Sequence, residues 1–161
     1  MPMPDDFLVE CLYRPNAWYV HDLLEVSETH VLARTDTTRL GHLVDAQREW
    51  PDHPKHLPGA AVIQITGTLG QLHAVYGLGL RMTQGWVGFG THVHGCKFGG
   101  LGTIGPAVDL RADITRTRTI RGTVFVDYTF TFTQEDRTLY TSKQAAAWRR
   151  GDHRGPLPEG L

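Results

Sequence analysis

The run from Ala60 to Leu80 is the only stretch of this chain long enough for a central helix, and it constrains everything around it. Val62, Ile65, Leu69, Leu72 and Tyr76 recur at spacings of three and four, the stripe of a helix with one buried face. Gly67, Gly70 and Gly77 interrupt the stripe. Each costs a helix about 1 kcal/mol against alanine. Their retention predicts contacts too close for a side chain.

After the helix the period changes to two. Trp86 to Phe98 reads as a strand, and Gly99 to Pro106 as a turn or bulge. Val108 to Thr117 alternates, with Val108, Leu110, Ala112 and Ile114 on one face. Thr123 to Thr133 is the clearest strand, with Val124, Val126, Tyr128, Phe130 and Phe132 opposite mainly polar residues. Glu135-Asp136 makes a turn, and Leu139 to Trp148 a last strand. Before the helix, His30 to Thr38 is rich in β-formers, and residues 39–59 read as a proline-punctuated loop. One or two strands, one helix and at least four antiparallel strands define an α+β layout, a curved sheet with the helix on one face.

A length of 161 residues suits one domain. We place it at 1–148, with 149–161 as a flexible C-terminal tail. The net charge of -1 argues against nucleic-acid binding. Cys11 and Cys96 match no metal spacing and form no disulfide framework, as expected in a reducing cytoplasm. The first residues lack a signal-peptide pattern, and no apolar run reaches 18 residues, so no membrane span is expected.

Nine histidines supply the candidate chemistry. His56 stands in a proline-braced turn, His53-Pro-Lys-His-Leu-Pro-Gly59, immediately before the helix. That placement suits a base at the mouth of a buried tunnel. His92 and His94 share a strand face, but two histidines fall short of the three protein ligands usual for catalytic zinc, so no metal is expected. The glycines of 99–105 lack a following Lys-Ser/Thr and read as a bulged turn. Arg111, Arg116, Arg118 and Arg121 read as a solvated face, or as partners for phosphates.

With His56-Leu57-Pro58-Gly59 before the helix, and the segments Gly95–Phe98, Ile104–Pro106 and Val108–Ile114 after it, residues 17–148 resemble the hotdog fold. The match is to its 3-hydroxyacyl-thioester dehydratase branch. That resemblance implies a curved antiparallel sheet wrapped around one long central helix. It makes His56 the catalytic histidine. In the family, a Pro-Gly nine residues on offers a backbone N–H to the thioester carbonyl, and an acid follows fourteen residues after the histidine. Counted from His56, those places hold Gln64-Ile65 and Gly70. A glycine cannot protonate a leaving hydroxyl. His73, one turn beyond Gly70, is the candidate stand-in for the acid, and Thr66 could hold a water.

The resemblance therefore implies an acyl-thioester-processing protein, most like a 3-hydroxyacyl dehydratase with an atypical site, of fatty acid or polyketide metabolism. The alternatives are an acyl-thioester hydrolase and a non-catalytic acyl-chain-binding subunit. His56 and His73 are the catalytic candidates. Gln64, Ile65, Thr66, Gly70, His92 and His94 are the substrate-binding ones. The acyl group would arrive on coenzyme A or acyl carrier protein, with no separate cofactor, in a homodimer or a larger assembly.

Overall fold

The computed structural model describes residues 1–151. Six strands form one sheet: β1 (Asp22–Val26), β2 (His30–Thr35), β3 (Trp86–Phe98), β4 (Val108–Ile120), β5 (Thr123–Gln134) and β6 (Arg137–Arg150). Their order across the sheet is β1-β2-β4-β5-β6-β3, and every neighbouring pair is antiparallel. β3 therefore forms an edge, paired only with β6 among the described residues. Three helices punctuate the strands: α1 (Phe7–Glu10), α2 (His42–Asp45) and α3 (Gly59–Leu72).

α3 lies on the sheet because its stripe is apolar. Val62, Ile65, Leu69 and Leu72 are buried, worth roughly 1.5–3 kcal/mol each. They pack against the inward face of β5, whose Val126, Tyr128, Phe130 and Phe132 are buried at every second position. The turns Arg121-Gly122 and Glu135-Asp136 both have positive φ, the pattern of two-residue type I′ hairpins, which keeps β4, β5 and β6 in tight register. β6 continues to Arg150, beyond the expected Trp148. The rest of the expected tail, 152–161, lies outside the described residues.

The helix begins directly after Pro58, and at His73 it widens into a π-turn over His73–Gly77. Of its three glycines only Gly77 behaves as expected. A Cβ there would stand 2.5 Å from the Ser27 carbonyl oxygen. At Gly67 a Cβ would meet nothing within 4 Å, and at Gly70 it would make ordinary contact, 3.9 Å from Trp148. Those two glycines border open space instead of a tight contact.

The first residues are strapped to the far end of α3. Phe7 is buried against the edge of Trp18, with ring centroids 4.9 Å apart. Gln71 donates to the Glu10 carbonyl at 2.9 Å. The buried Glu10 carboxylate accepts from the Thr83 N–H at 3.1 Å and from Arg81 at 3.3 Å. Burial would push this carboxyl up, but the Thr83 and Arg81 hydrogen bonds outweigh it and hold the group below its ordinary range.

Candidate functional site

The site is built in two parts along α3. The first is the loop that delivers His56 to the helix start. The Gln47 side chain brackets His56 from both sides of its backbone, accepting from its N–H at 3.1 Å and donating to its C=O at 2.8 Å. The next N–H, from Leu57, donates to Gly102 at 2.8 Å, so the loop is stitched to the connection between β3 and β4. That connection is pinned by the buried Gln134, which accepts from the Thr103 N–H and donates to the Thr103 and Pro106 carbonyls.

The His56 ring is oriented too. Its Nδ1 lies 3.2 Å from the Pro54 carbonyl, which can only accept, so Nδ1 carries a proton and Nε2 is the nitrogen left to face the cavity's chemistry. His56 shares a cavity of about 270 Å³ with Gly59, Val62, Phe98 and Leu101. Among the described residues it is the only histidine lining that cavity, and no carboxylate lines it.

Pro58 precedes the first helical residue with extended backbone. The first intrahelical bond runs from the Val62 N–H to the Pro58 carbonyl at 3.2 Å. The N–H groups of Gly59, Ala60 and Ala61 are therefore the donors that a helix start leaves open. They carry the positive end of the helix dipole.

This start bears on the amide place that the family resemblance implies at Ile65. Pro58-Gly59 itself occupies the helix-start place. Ile65 sits a turn and a half inside, fully buried, where the N–H of each residue bonds the carbonyl four back. Its amide is not open to a thioester.

The second part is a cavity of about 380 Å³ between α3, β3, β5, β6 and the N-terminal strap. Its size falls in the range of small-molecule sites. Gln64, Thr66, Gly67 and Gly70 line it from α3, and Cys11 to Tyr13 from the strap. No carboxylate and no imidazole lines it. The Thr66 hydroxyl donates to Ile63 O at 2.7 Å and approaches Gln144 Oε1 at 3.3 Å. Gln64 Nε2 is buried without a partner. Burial pushes the Cys11 thiol up, so it stays protonated at neutral pH.

His73 does not reach this space. It is 0% exposed and stands behind Tyr128. Its Nε2 donates to the Glu28 carbonyl at 3.1 Å, so Nδ1 accepts from the Tyr128 hydroxyl at 2.9 Å. Burial lowers its pKa, which keeps the ring neutral. His92 and His94 stack at 5.4 Å on the sheet face turned away from α3. There they line a groove of about 510 Å³ with Arg118, Asp127 and Lys143. Of the expected residues, the structure brings together Gln64, Thr66 and Gly70, places His56 at the helix start, and separates His73, His92 and His94 from both.

The parts that sequence reasoning missed are long-range. The Gln47 bracket, the Gln134 pin and the Trp148 wall of the cavity have no local signature in the sequence. The proline-glycine pair at 58–59 did carry a signal, because proline and a small residue favour a helix start.

This architecture, a six-stranded curved antiparallel sheet packed on one long helix, is the hotdog fold. No family model and no curated protein matches the chain. Solved structures do. The chain is similar to a dehydratase heterocomplex, ApeI:P, from Xenorhabdus doucetiae, at TM-score 0.64 and 16% identity, covering 94% of this chain and 95% of that one. It is similar to a thioesterase, HI1161, from Haemophilus influenzae, at TM-score 0.61 and 14% identity, covering 96% and 97%. It is also similar to a mutant thioesterase, PA1618, from Pseudomonas aeruginosa, at TM-score 0.55 and 13% identity, covering 83% of each chain. Among the described residues, no helix is long and apolar enough to cross a membrane, and no three His, Cys, Asp or Glu side chains are placed to hold a metal ion.

Proposed function

We propose that this protein processes acyl thioesters, and that the reaction its site supports best is hydrolysis. The observation that carries this is His56 just before the start of α3, its Nδ1–H held by the Pro54 carbonyl, in one cavity with Gly59 at the open end of the helix. Dehydration needs two proton transfers, one from the α-carbon and one to the departing hydroxyl. Among the described residues His56 is the one titratable side chain lining this cavity, and His53, with ring centroids 5.1 Å away, stands outside it. The acid's place, counted from His56, holds Gly70, which has no side chain to give a proton.

Hydrolysis makes a smaller demand. His56 takes a proton from water as that water attacks the carbonyl carbon. The exposed N–H groups of Gly59 and Ala60 receive the developing oxyanion. The C–S bond then breaks, and the proton held by His56 passes to the leaving thiolate. The acyl chain lies in the second cavity, along Gln64, Thr66, Gly67 and Gly70. The carrier is coenzyme A or the phosphopantetheine of an acyl carrier protein. The unpaired edge of β3 suits pairing with a second copy of the chain.

A 3-hydroxyacyl-CoA tests this in one tube. Free thiol should appear without the absorbance of an enoyl thioester, and His56→Gln should lose the activity. Enoyl product would restore dehydration. Binding without either product would make the protein a non-catalytic acyl carrier.

A further inference from the structure

The cavity beside α3 has a direction. Thr66 meets Gln144 at one end, and Gly70 meets Trp148 at the other, so α3 and β6 run the same way along it. Trp148 is 3% exposed, and its indole bridges the far end. One edge of the ring, Nε1, lies over Gly88 of β3, where a Cβ would come within 2.1 Å of it. The other edge, Cζ2 and Cη2, lies 3.9–4.0 Å from the Cβ position of Gly70 on α3. Tyr128 stands edge-on to it, with ring centroids 6.3 Å apart.

The Trp148 N–H bonds nothing. A buried tryptophan usually finds a partner for that group, and leaving it unpaired costs stability. What the position keeps is the volume of the ring. Gly88 leaves room for one edge, and the bare helix face at Gly67 and Gly70 leaves the space in front of it open.

We propose that Trp148 is the floor of the acyl site and limits the chain length it accepts. The inference rests on the acyl-thioester reading of this cavity. Along α3 the wall of this cavity runs from Gln64 to Gly70, about 9 Å at 1.5 Å of helix rise per residue. The ligand class is therefore a straight, medium-length acyl chain whose terminal methyl meets the indole. Up to that length each methylene leaves water for an apolar wall. Beyond it, added carbons find no further cavity.

S-alkyl-CoA thioethers, from S-butyl to S-hexadecyl, test this without turnover. Wild-type affinity should rise roughly fourfold per methylene and then go flat, a break set by the floor. In Trp148→Ala the break should move to longer chains by several carbons. In Trp148→Phe, which keeps most of the core packing, it should move out by less. A break at the same length in wild type and in the folded Phe variant removes Trp148 as the limit and leaves the acyl reading standing. No binding of any thioether to wild type removes the acyl reading and the floor together. A rise with no break through the whole series also removes the floor.

Discussion

Replacing Tyr128 by phenylalanine takes one oxygen out of the core and leaves the ring in place. The hydroxyl donates to His73 Nδ1 at 2.9 Å, and both residues are buried. His73 cannot turn to compensate, because its Nε2–H is held by the Glu28 carbonyl at 3.1 Å. The substitution therefore strands a buried acceptor, at a cost of about 1–3 kcal/mol. For a domain of this size each kcal/mol moves Tm by roughly 2–4 °C, so a fall of about 3–10 °C is expected. Urea unfolding followed by circular dichroism should give the loss as a lower midpoint with an unchanged slope. A cycle with His73→Leu should show coupling on the order of 1 kcal/mol, since the partners touch. A loss below about 0.5 kcal/mol, the range of an ordinary surface substitution, would refute the buried pair and reopen His73 as a proton donor to the cavity.

Other substitutions and conditions probe the remaining structure. Gly67→Ala should stabilise the protein by up to ~1 kcal/mol, because its Cβ meets nothing within 4 Å and alanine favours the helix. Gly77→Ala should destabilise it by about 1–3 kcal/mol through the Ser27 carbonyl; thermal melts of the two variants should shift in opposite directions, and a shared direction would contradict this. Stability should also fall with acid in a defined window. Burial depresses the folded-state pKa of His73 and His21 below 6.5, so the unfolded chain takes up protons that the folded one refuses. Full stability should hold above 6.5 and be lost as pH falls from there through the lowered values, by up to about 1.4 kcal/mol per pH unit for each histidine. Urea midpoints measured across that window check the sign, and a flat profile would count against both burials.

The fold was legible where periodicity is strong. β5 lies at Thr123–Gln134 because five inward residues alternate with polar ones, a pattern only a half-buried strand explains. The α3 stripe was equally plain. The site was less legible, because its geometry depends on a boundary. A helix beginning at Gly59 opens the amides there and closes that of Ile65. Periodicity defines a face better than an end. Glycine was ambiguous for a similar reason: Gly77 is bare because the Ser27 backbone is close, whereas Gly67 and Gly70 are bare beside a cavity, and all three look alike in the sequence. The strap from Glu10 to Arg81 and Thr83 joins residues more than 70 positions apart, beyond the reach of any local pattern.

The central claim is that one histidine at the start of α3 performs thioester hydrolysis. Its most direct test is kcat/KM for thiol release from a medium-chain acyl-CoA, measured for the wild type and for His56→Gln of unchanged Tm. The account predicts a loss on the order of 10²–10⁴-fold, the usual worth of a positioned general base. Equal rates in the two proteins would contradict it.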